Sequence, residues 1–321
     1  MMGGAPKARR RAAAPPRFVY GPVPSRRLGF SLGVDILPFK TCSLDCVYCQ
    51  LGPTDRKTVR RRAYVGVREV LAQVREALRS GCRIDHITFS GSGEPTLNGN
   101  LGRLIRGIKR MTGVPVAVLT NGTLLGRKDV RADIRAADIV VPSLDAATSP
   151  LFRAVNRPHP SLDAARMIDG LARFRREFPG QIWLEVMLVR GVNDSPAHVR
   201  ALKKAIAAIR PDRVQLNTVV RPPAEASAAP LSPRELGRIA RALGGGAEVV
   251  ADFGPRLARG RTAASEEVIL AMVRRRPVTS EDIAASLAAH RDEVLKTVAH
   301  LLAAGRIRGV RHGRKTFYEP A

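Results

Sequence analysis

Three closely spaced cysteines are the residues best suited to chemistry in this sequence. Cys42, Cys46 and Cys49 form a Cys-x3-Cys-x2-Cys run. Thiolates at this spacing on one loop can bind three irons of a [4Fe–4S] cube, which usually has four cysteine ligands. The remaining cysteine, Cys82, ends a predicted helix and is a poor candidate for the missing ligand. The run therefore predicts a cluster whose fourth iron is open to another ligand.

Zinc binding and disulfides are alternative uses of these cysteines. A structural zinc site closes four ligands, usually as two spaced pairs, and the sequence contains no second pair. A disulfide framework is typical of short secreted chains, whereas this chain has 321 residues and no visible secretion signal. Zinc and inert thiols stay open as alternatives, and the spacing favours the cluster.

Apolar segments with the periods of strands and helices alternate along the chain. This alternation predicts parallel strands joined by right-handed helical crossovers, and therefore an α/β fold. In folds built from such parallel units, functional side chains gather at the C-terminal ends of the strands. The predicted strands cover residues 30–37, 84–90, 114–119, 139–144, 182–189 and 214–219, and the predicted helices cover residues 65–79, 101–111, 129–136, 162–178 and 196–209.

The cysteine run resembles the signature of the radical S-adenosylmethionine (radical SAM) superfamily. In that signature an aromatic residue precedes the third cysteine, a place that Tyr48 occupies. The resemblance extends over about residues 20–222 and implies an open, partial (β/α)6 barrel. It also implies that the open iron binds S-adenosylmethionine (SAM). An electron from the cube would then cleave the cofactor to a 5′-deoxyadenosyl radical that abstracts hydrogen from a substrate. A flavodoxin- or ferredoxin-type protein is the expected reductant.

A glycine-rich segment that contains Gly93 and Glu94 follows the second predicted strand. Glycines let a backbone come close to a ligand, and a carboxylate can accept a hydrogen bond from an ammonium group. The radical SAM resemblance implies that this segment binds the methionine amino group. Members of the superfamily carry Gly-Gly-Glu there, whereas Ser92 is inserted here, so the match is partial. An ordinary turn between a strand and a helix is the alternative.

Polar residues near later strand ends are further candidates for cofactor binding. The resemblance implies that Asn121 contacts the methionyl or ribose portion of SAM, although an Asn-Gly turn explains it equally well. It implies that Ser143 supplies a ribose-binding hydroxyl and that Asp145 faces the ribose or the substrate, with a helix cap as the alternative. Asn193 is expected near the cofactor. Because a buried carboxylate must be paired or protonated, Glu185 in the fifth predicted strand is expected to line the pocket.

The charge of the chain is consistent with a nucleic-acid partner. The formal net charge is +26, from 54 Lys and Arg against 28 Asp and Glu, and clustered cations bind phosphates with release of counterions. Most of these cations are Arg, in a sequence also rich in Ala, Gly and Pro, so a biased genomic base composition is an equally good explanation. A local cluster is stronger evidence. Arg56, Lys57 and residues 60–62 are predicted to form a basic rim beside the cysteine loop.

The C-terminal residues predict a second fold. Helical patterns at residues 266–275, 280–288 and 291–303 precede two short strand patterns within residues 306–318. Three helices followed by a hairpin are the order of a winged helix, whose third helix would be the recognition helix. Its hairpin is predicted to contact phosphates, with protein docking as the alternative. The basic residues of this hairpin are Arg306, Arg308, Arg311, Arg314 and Lys315.

These patterns divide the chain into four parts. Residues 1–16, rich in Ala, Pro and Arg, predict a disordered basic arm. Residues 17–222 form the predicted barrel, residues 223–262 a linker with an accessory helix, and residues 263–321 the winged-helix-like α+β domain. No apolar run reaches the length of a membrane span. Because a low-potential cluster suits a reducing compartment, we expect a cytoplasmic protein without a membrane partner.

The motifs together predict a radical SAM enzyme that acts on tRNA or another RNA. Residues 23–27, 91–96 and 191–194 look like motifs of the branch that includes the wyosine-type tRNA base synthases. Those enzymes carry a further cysteine set that this chain lacks, so the branch is predicted and the particular reaction is not. A redox-sensing, DNA-binding regulator and a peptide-modifying radical SAM enzyme are the alternatives. Polar residues at successive strand ends favour the enzyme over the regulator, since a sensor needs no cofactor pocket.

Overall fold

Most strands of the protein belong to one sheet. The computed structural model describes residues 16–25, 27–251, 264–287, 289–313 and 315–321. The first ten strands are β1 (Val19–Ser25), β2 (Gly29–Val34), β3 (Thr41–Cys42), β4 (Arg56–Lys57), β5 (His86–Phe89), β6 (Val116–Thr120), β7 (Ile139–Pro142), β8 (Gln181–Leu188), β9 (Arg213–Thr218) and β10 (Glu248–Val249). All except β3 and β4 form a sheet in the order β1-β2-β5-β6-β7-β8-β9-β10. Strand β1 is antiparallel to β2, and the other neighbours are parallel. The predicted, mostly parallel α/β sheet is confirmed.

Helices follow the parallel strands and pack on one face of the sheet. They are α1 (Val67–Arg79), α2 (Leu101–Lys109), α3 (Lys128–Ile134), α4 (Ser149–Asn156), α5 (Ala164–Glu177), α6 (Pro196–Ile209) and α7 (Pro233–Leu243), with a short 3-10 helix (Pro95–Leu97) after β5. Apolar residues one turn apart, such as Val70 and Val74 of α1, are fully buried. Helix α4 is the one that the sequence analysis missed in this region, because its eight residues are too few to show a clear helical period.

Alternate residues of the strands point into two different cores. Val116, Val118 and Val140 pack with the helices in the larger core. Their neighbours Ala117 and Val141 point to the opposite face, as the pleat of a strand requires. The smaller core on that face consists of Leu28, Ala117, Ile139, Val141 and Trp183, with Leu119 beside it. Because Leu28 belongs to the turn between β1 and β2, this turn lies against the second face of the sheet.

Three helices and a hairpin form the C-terminal unit, defined here as the described part of residues 264–321. Its elements are α8 (Glu266–Val273), α9 (Ser280–Leu287), α10 (Arg291–Ala303), β11 (Ile307–His312) and β12 (Lys315–Pro320). Strands β11 and β12 pair antiparallel, and Val278 forms a bridge with Tyr318. The observed order of helices and strands is the one that the sequence predicts.

The C-terminal unit contacts the sheet at two widely separated strands. Val23 of β1 is buried in the apolar core of the unit, and the Arg275 guanidinium lies 4.4 Å from the centre of the Tyr20 ring. On the other side, a ring nitrogen of His312 lies 3.2 Å from the carbonyl oxygen of Val219, directly after β9. The unit therefore reaches from β1 to the end of β9.

Several predicted features fall partly outside the described residues. These include residues 1–15 of the basic arm, residues 252–263 near the second boundary, Ala288 and Arg314. Beyond residue 222, α7 buries Leu236, Ile239 and Leu243 in the larger core, and β10 pairs with β9. The sheet and its core thus continue into the predicted linker region. In the described ranges, none of the helices has the length and apolar character needed to cross a membrane.

Candidate active site

The three clustered cysteines lie at the end of β3 and on the loop that follows it: Cys42 ends β3, and Cys46 and Cys49 lie between β3 and β4. Pairing of these two short strands brings the ends of the loop together. Cys42, Cys46 and Cys49 are half-buried free thiols, and the Cys49 amide donates to the Cys46 carbonyl oxygen at 3.0 Å. Within residues 16–25, 27–251, 264–287, 289–313 and 315–321, no three His, Cys, Asp or Glu side chains are arranged around a single metal ion. The ligands of a [4Fe–4S] cube lie farther apart than those of a single metal ion, because each thiolate ligates a different iron.

Each of these three sulfur atoms accepts a hydrogen bond from a different side chain. The pairs are Lys40 Nζ with Cys49 Sγ at 3.2 Å, Asn121 Nδ2 with Cys42 Sγ at 3.5 Å, and Asn156 Nδ2 with Cys46 Sγ at 3.3 Å. Such donors stabilise negative charge on sulfur and tune a bound cluster. Lys40 is 3% exposed and has a φ of 55°, a left-handed conformation that is uncommon for a residue other than glycine. Its backbone and its burial thus hold the ammonium group beside the sulfur.

Burial makes the thiols of Cys42 and Cys46 unfavourable as isolated anions. Burial, with a further contribution from Glu94, raises the pKa of Cys42 to about 12. Burial and the neighbouring Asp145 raise the pKa of Cys46 well above its usual value. Buried thiolates therefore need bound cations. The three neighbouring thiols, each with its own nitrogen donor, fit a [4Fe–4S] cluster, and Cys42, Cys46 and Cys49 are the residues that would hold it.

The contact of Lys40 with Cys49 predicts an effect on the redox potential of the cluster. We expect Lys40→Met to make the potential more negative by on the order of 50 mV, because a charged donor that favours the reduced form is lost. A redox titration followed by electron paramagnetic resonance measures this shift. The matched control is Lys57→Met, since Lys57 is exposed and donates to the Arg157 carbonyl oxygen. Equal shifts in the two variants would contradict a specific role for Lys40.

Glu94 is a buried carboxylate that four donor groups hold in place. Its side chain Oε1 accepts from the Thr96 amide at 3.0 Å and from the hydroxyls of Thr96 and Thr120, both at 2.6 Å. Its Oε2 accepts from the backbone amide of Asn121 at 2.6 Å. Burial raises the pKa of Glu94, and these hydrogen bonds oppose the rise. Glu94 therefore ties the loop after β5 to the loop after β6.

Gly93 leaves no room for a side chain. A Cβ atom here would lie 1.9 Å from the carbonyl oxygen of Thr41, which also accepts from the Glu94 amide at 3.1 Å. A hydrogen bond also holds the inserted Ser92 in place, because its hydroxyl donates to the Asp35 carboxylate at 2.5 Å. Gly93 thus lets the loop that carries Glu94 pack directly against β3, which holds the first cysteine of the cluster loop.

Tyr48 and Asp145 form a buried hydrogen-bonded pair. The Tyr48 hydroxyl donates to Asp145 Oδ2, which also accepts from Asn156 Nδ2 at 2.7 Å. The Met187 amide donates to Oδ1 at 2.9 Å. Burial raises the pKa of Asp145 to about 6. Asp145 is 3% exposed and lies behind Tyr48, so its position suits orienting Tyr48 better than the predicted contact with the ribose or substrate.

Asn193 is buried behind the residues that line the site, whereas Ser143 is one of the lining residues. Asn193 is fully buried, and its Nδ2 donates to the carbonyl oxygens of Asp145 and Met187, both at 2.8 Å. Its Oδ1 accepts from the Val189 amide at 2.7 Å. Because its amide group is satisfied by backbone atoms, Asn193 joins the loop after β7 to the end of β8. Asn193 is thus not among the residues that line the cavity described below, where the sequence analysis expects the cofactor.

A cavity of about 380 Å³ lies at the C-terminal ends of the strands, within the usual range for small-ligand sites. Most of the predicted site residues line it, namely Cys42, Cys46, Tyr48, Cys49, Gly93, Glu94, Asn121 and Ser143. Its charged lining residues are the acidic Glu94 and Glu185 and the basic Arg27, Lys40, Arg221, Arg275 and Arg276. Because cations predominate in this lining, the cavity suits a ligand with negative charge.

A buried ion pair forms part of the cavity wall. Arg27 Nη1 lies 2.8 Å from Glu185 Oε2, and the two side chains are 12% and 15% exposed. Asn217 Nδ2 donates to Glu185 Oε1 at 2.8 Å. Glu185 thus lines the pocket, as its place in the strand predicts. The sequence analysis did not identify Arg27 as its partner, because no local pattern connects the β1–β2 turn with β8.

Only some of the basic residues predicted to form a rim beside the cysteine loop are available for contact with a nucleic acid. Arg61 forms ion pairs with Asp129 and Asp133 and is 11% exposed. Its charge is therefore used within the protein, and it is not part of a free rim. The exposed basic residues of this segment are Arg56, Lys57, Arg60 and Arg62.

The family model described as "Radical SAM superfamily" matches residues 36–202. This range contains the cysteine loop, the Glu94 segment and the ends of strands β5 to β8, which line the cavity together with residues outside the range. The chain belongs to the radical SAM superfamily. Enzymes of this family use a [4Fe–4S] cluster and SAM and need a reductant, and this protein is a radical SAM iron–sulfur enzyme. When bound, the cluster supplies the electron for cleavage of SAM.

Three relatives show how far the likeness extends. A "UPF0026 protein" of Helicobacter pylori is 34% identical over 270 residues, which are 83% of this chain and 87% of that protein. A protein of Brachyspira hyodysenteriae named "GTPase Obg" is 39% identical over 294 residues, 90% of this chain and 43% of that protein. "Dual-specificity RNA methyltransferase RlmN" of Sorangium cellulosum is 30% identical over 200 residues, 58% of this chain and 48% of that protein. The chain thus spans less than half the length of the last two relatives.

A solved structure has a similar architecture. It is Streptococcus suis SuiB bound to S-adenosylmethionine, which has a TM-score of 0.50 and 16% sequence identity. The match covers 64% of this chain and 46% of that chain. At this identity, the likeness shows the α/β fold alone.

Proposed function

We propose that this enzyme cleaves SAM reductively and uses the resulting radical to modify RNA, with tRNA as the substrate class. The observation that carries the RNA assignment is the location of the basic hairpin β11–β12. His312 in this hairpin lies 3.2 Å from the Val219 carbonyl oxygen, and Val219 lines the cavity. RNA bound to the hairpin would therefore lie next to the cavity. The name of the RlmN relative, an RNA methyltransferase, supports the same substrate class.

Within the cavity, we assign the cluster to the three cysteines and SAM to the residues around them. The fixed Glu94 carboxylate would accept hydrogen bonds from the cofactor ammonium group, beside the backbone of Gly93. Asn121, Ser143 and Tyr48 line the same cavity and would contact the rest of the cofactor. Asp145 and Asn193, which lie behind this wall, are proposed to position it.

We also propose a division of the chain that follows the sequence. Residues 17–222 would form a partial (β/α)6 barrel, an interpretation supported by the apolar cluster on the second face of the sheet. Helix α7 and strand β10, within residues 223–262, would extend its edge. Residues 263–321 would be a winged helix, supported by three helices followed by an antiparallel hairpin.

The branch, the electron donor and the compartment follow from the same account. We place the enzyme in the branch related to the wyosine-type tRNA base synthases, without assigning their reaction. A flavodoxin- or ferredoxin-type protein is the proposed donor, because the cluster must be reduced before SAM is cleaved. The cytoplasm is the proposed compartment, since it keeps thiols and clusters reduced.

The charges of the hairpin differ in their availability for RNA. Arg308 is paired with Glu319, with Nε 2.8 Å from Oε1. The exposed cations without a described carboxylate partner are Arg306, Arg311 and Lys315, whereas Arg314 lies outside the described residues. These three side chains are therefore the ones to test for phosphate contacts.

Neutralising these three cations is expected to weaken RNA binding and to reduce its salt dependence. For the triple variant Arg306→Gln, Arg311→Gln and Lys315→Gln, we expect the slope of log affinity against log salt to fall by about 2, because each phosphate contact contributes roughly 0.7–0.9. Fluorescence anisotropy with labelled tRNA, measured from low to high salt, gives this slope.

The matched control removes the same charge from another exposed surface. It is the triple variant Arg103→Gln, Arg106→Gln and Arg110→Gln on and directly after α2. This control should keep the wild-type slope. Equal losses in the two triple variants would mean that total charge, not the hairpin, governs binding. Whatever the outcome for the hairpin, sequencing of the RNA that co-purifies with the protein under anaerobic conditions would identify the substrate itself.

A further inference from the structure

Arg276 differs from the other cations in the cavity wall. Each of the other four has at least one described side-chain partner: Glu185 lies 2.8 Å from Arg27, Cys49 3.2 Å from Lys40 and Gln50 3.4 Å from Arg221, and Asp35 lies 4.0 Å from Arg275 in a looser ion pair. Arg276 Nη2 is buried and has no hydrogen-bond partner within the part of the chain that the structure describes. A buried donor without an acceptor is unfavourable, so Arg276 Nη2 is a donor that a ligand in the cavity could use.

The backbone around Arg276 is held on both sides. The Arg276 amide bonds to the Met272 carbonyl oxygen at 3.3 Å, which continues the last turn of α8. Two residues later, Val278 exchanges two backbone hydrogen bonds with Tyr318 of β12, at 3.2 and 2.7 Å. The neighbouring Arg275 lies against the Tyr20 ring at 4.4 Å. Arg276 therefore enters the cavity from a fixed segment of the C-terminal unit.

Hydroxyl groups line the same cavity as Arg276. The Tyr20 and Ser90 hydroxyls are 3.0 Å apart, and both residues line the cavity together with Arg276. Burial raises the pKa of Tyr20, and the hydrogen bond with Ser90 opposes this rise; the charge of Asp35 adds to the rise, and the charges of Arg275 and Arg276 oppose it. Since one of these hydroxyls donates to the other, the pair keeps one O–H, which together with the guanidinium provides donors of the kind that an oxyanion needs.

We propose that Arg276, with the hydroxyls of Tyr20 and Ser90, forms a subsite that binds a phosphate group of the substrate. An arginine fork matches two phosphate oxygens in a bidentate arrangement. The C-terminal unit thus supplies part of the substrate site itself, in addition to the hairpin surface outside it. The assignment to phosphate rests on the proposed RNA function, because a nucleotide brings its phosphate into the same cavity as its base.

The test measures small-ligand binding to the full-length protein. The cluster is reconstituted and S-adenosylhomocysteine is added to fill the cofactor position. Isothermal titration then gives the affinities of uridine 5′-monophosphate and of uridine for the wild type, Arg276→Gln and Arg274→Gln. Arg274 is exposed and lies on the same segment, so its variant is the charge-matched control.

The wild type and Arg274→Gln are expected to bind the monophosphate more tightly than uridine. Arg276→Gln should lose about 10- to 100-fold of the affinity for the monophosphate and little of that for uridine, the size expected when one charged hydrogen-bonding group is removed. Arg276→Lys should keep a preference for the monophosphate, and equal melting temperatures would show that the variants fold.

Three results would overturn the subsite. They are equal monophosphate affinity in the wild type and Arg276→Gln, equal losses in Arg274→Gln and Arg276→Gln, and Arg276-dependent binding of succinate in place of the monophosphate. The outcome for RNA is separate. Arg276-dependent binding of the monophosphate, with no effect of the hairpin variant on RNA, would support the subsite and count against RNA, in favour of a small phosphorylated substrate.

Discussion

Replacing Cys42, Cys46 or Cys49 with alanine is expected to abolish iron binding. The wild-type protein should hold about four irons per chain after anaerobic reconstitution, because three thiolates on one loop each ligate one iron of the cube. Loss of one thiolate leaves two irons without protein ligands, including the one that is open in the wild type. Iron and sulfide analysis, together with visible absorption, measures the cluster.

Cys82→Ala is the matched control for the three cysteine variants. Cys82 is also a half-buried free thiol, but it follows α1 and is not on the cysteine loop. We expect this variant to keep the full iron content. Loss of iron from the Cys82 variant, or retention of a stable cluster by the Cys46 variant, would show that the ligands are assigned wrongly.

Glu94→Gln is expected to lower the cleavage of SAM by about 100-fold while the iron content stays unchanged. The substitution keeps the size of the side chain but removes the charge that would pair with the cofactor ammonium group, and loss of one partner of a buried charge pair is a large effect. The measurement is the release of 5′-deoxyadenosine and methionine from dithionite-reduced protein. Titration with SAM gives the loss of affinity separately.

Glu177→Gln provides the control for this substitution. Glu177 is an outer carboxylate of α5 that pairs with Arg131 at 2.8 Å, and its variant should cleave SAM at the wild-type rate. Glu94 also accepts a hydrogen bond from the backbone amide of Asn121, and the Asn121 side chain donates to the sulfur of Cys42. If Glu94→Gln lost iron together with activity, Glu94 would be a support of the cysteine loop instead of a cofactor ligand.

The strands of the parallel sheet could be predicted because they are continuous apolar runs. Strands β5 and β7 are buried over most or all of their length, as expected for strands covered on both faces. Strand β1 was missed for the opposite reason. It contains Gly21, Pro22 and Pro24, which indicate a loop, but proline is tolerated in edge strands. Only its pairing with β2 and its packing against the C-terminal unit make it a strand.

Local sequence could predict which loops form the site but not the direction of every side chain. Glu94, Asn121 and Ser143 line the cavity, whereas Asp145 and Asn193 lie behind the wall, although all five come near strand ends. A turn residue can point to either side, and the choice depends on hydrogen bonds to distant segments. The cations of the cavity were missed because they meet only in the folded chain, as with Arg27 of the β1–β2 turn and Arg276 of the C-terminal unit.

The C-terminal unit is more closely joined to the sheet than the domain pattern in the sequence implies. Val23 of β1 lies in the apolar core of the unit, and Arg275 and Arg276 line the cavity. Deletion of the unit would therefore open the cavity and expose apolar surface of β1. Point substitutions on the hairpin and at Arg276 separate RNA binding from these structural effects.

Transfer of deuterium from RNA to 5′-deoxyadenosine tests the central claim most directly. The reduced, reconstituted protein is incubated with SAM and with tRNA from cells grown in heavy water, and the 5′-deoxyadenosine is analysed by mass spectrometry. The account predicts product that carries one added deuterium and that is released faster in the presence of tRNA. Product without deuterium, released at the same rate with and without tRNA, would contradict the assignment of this enzyme to RNA.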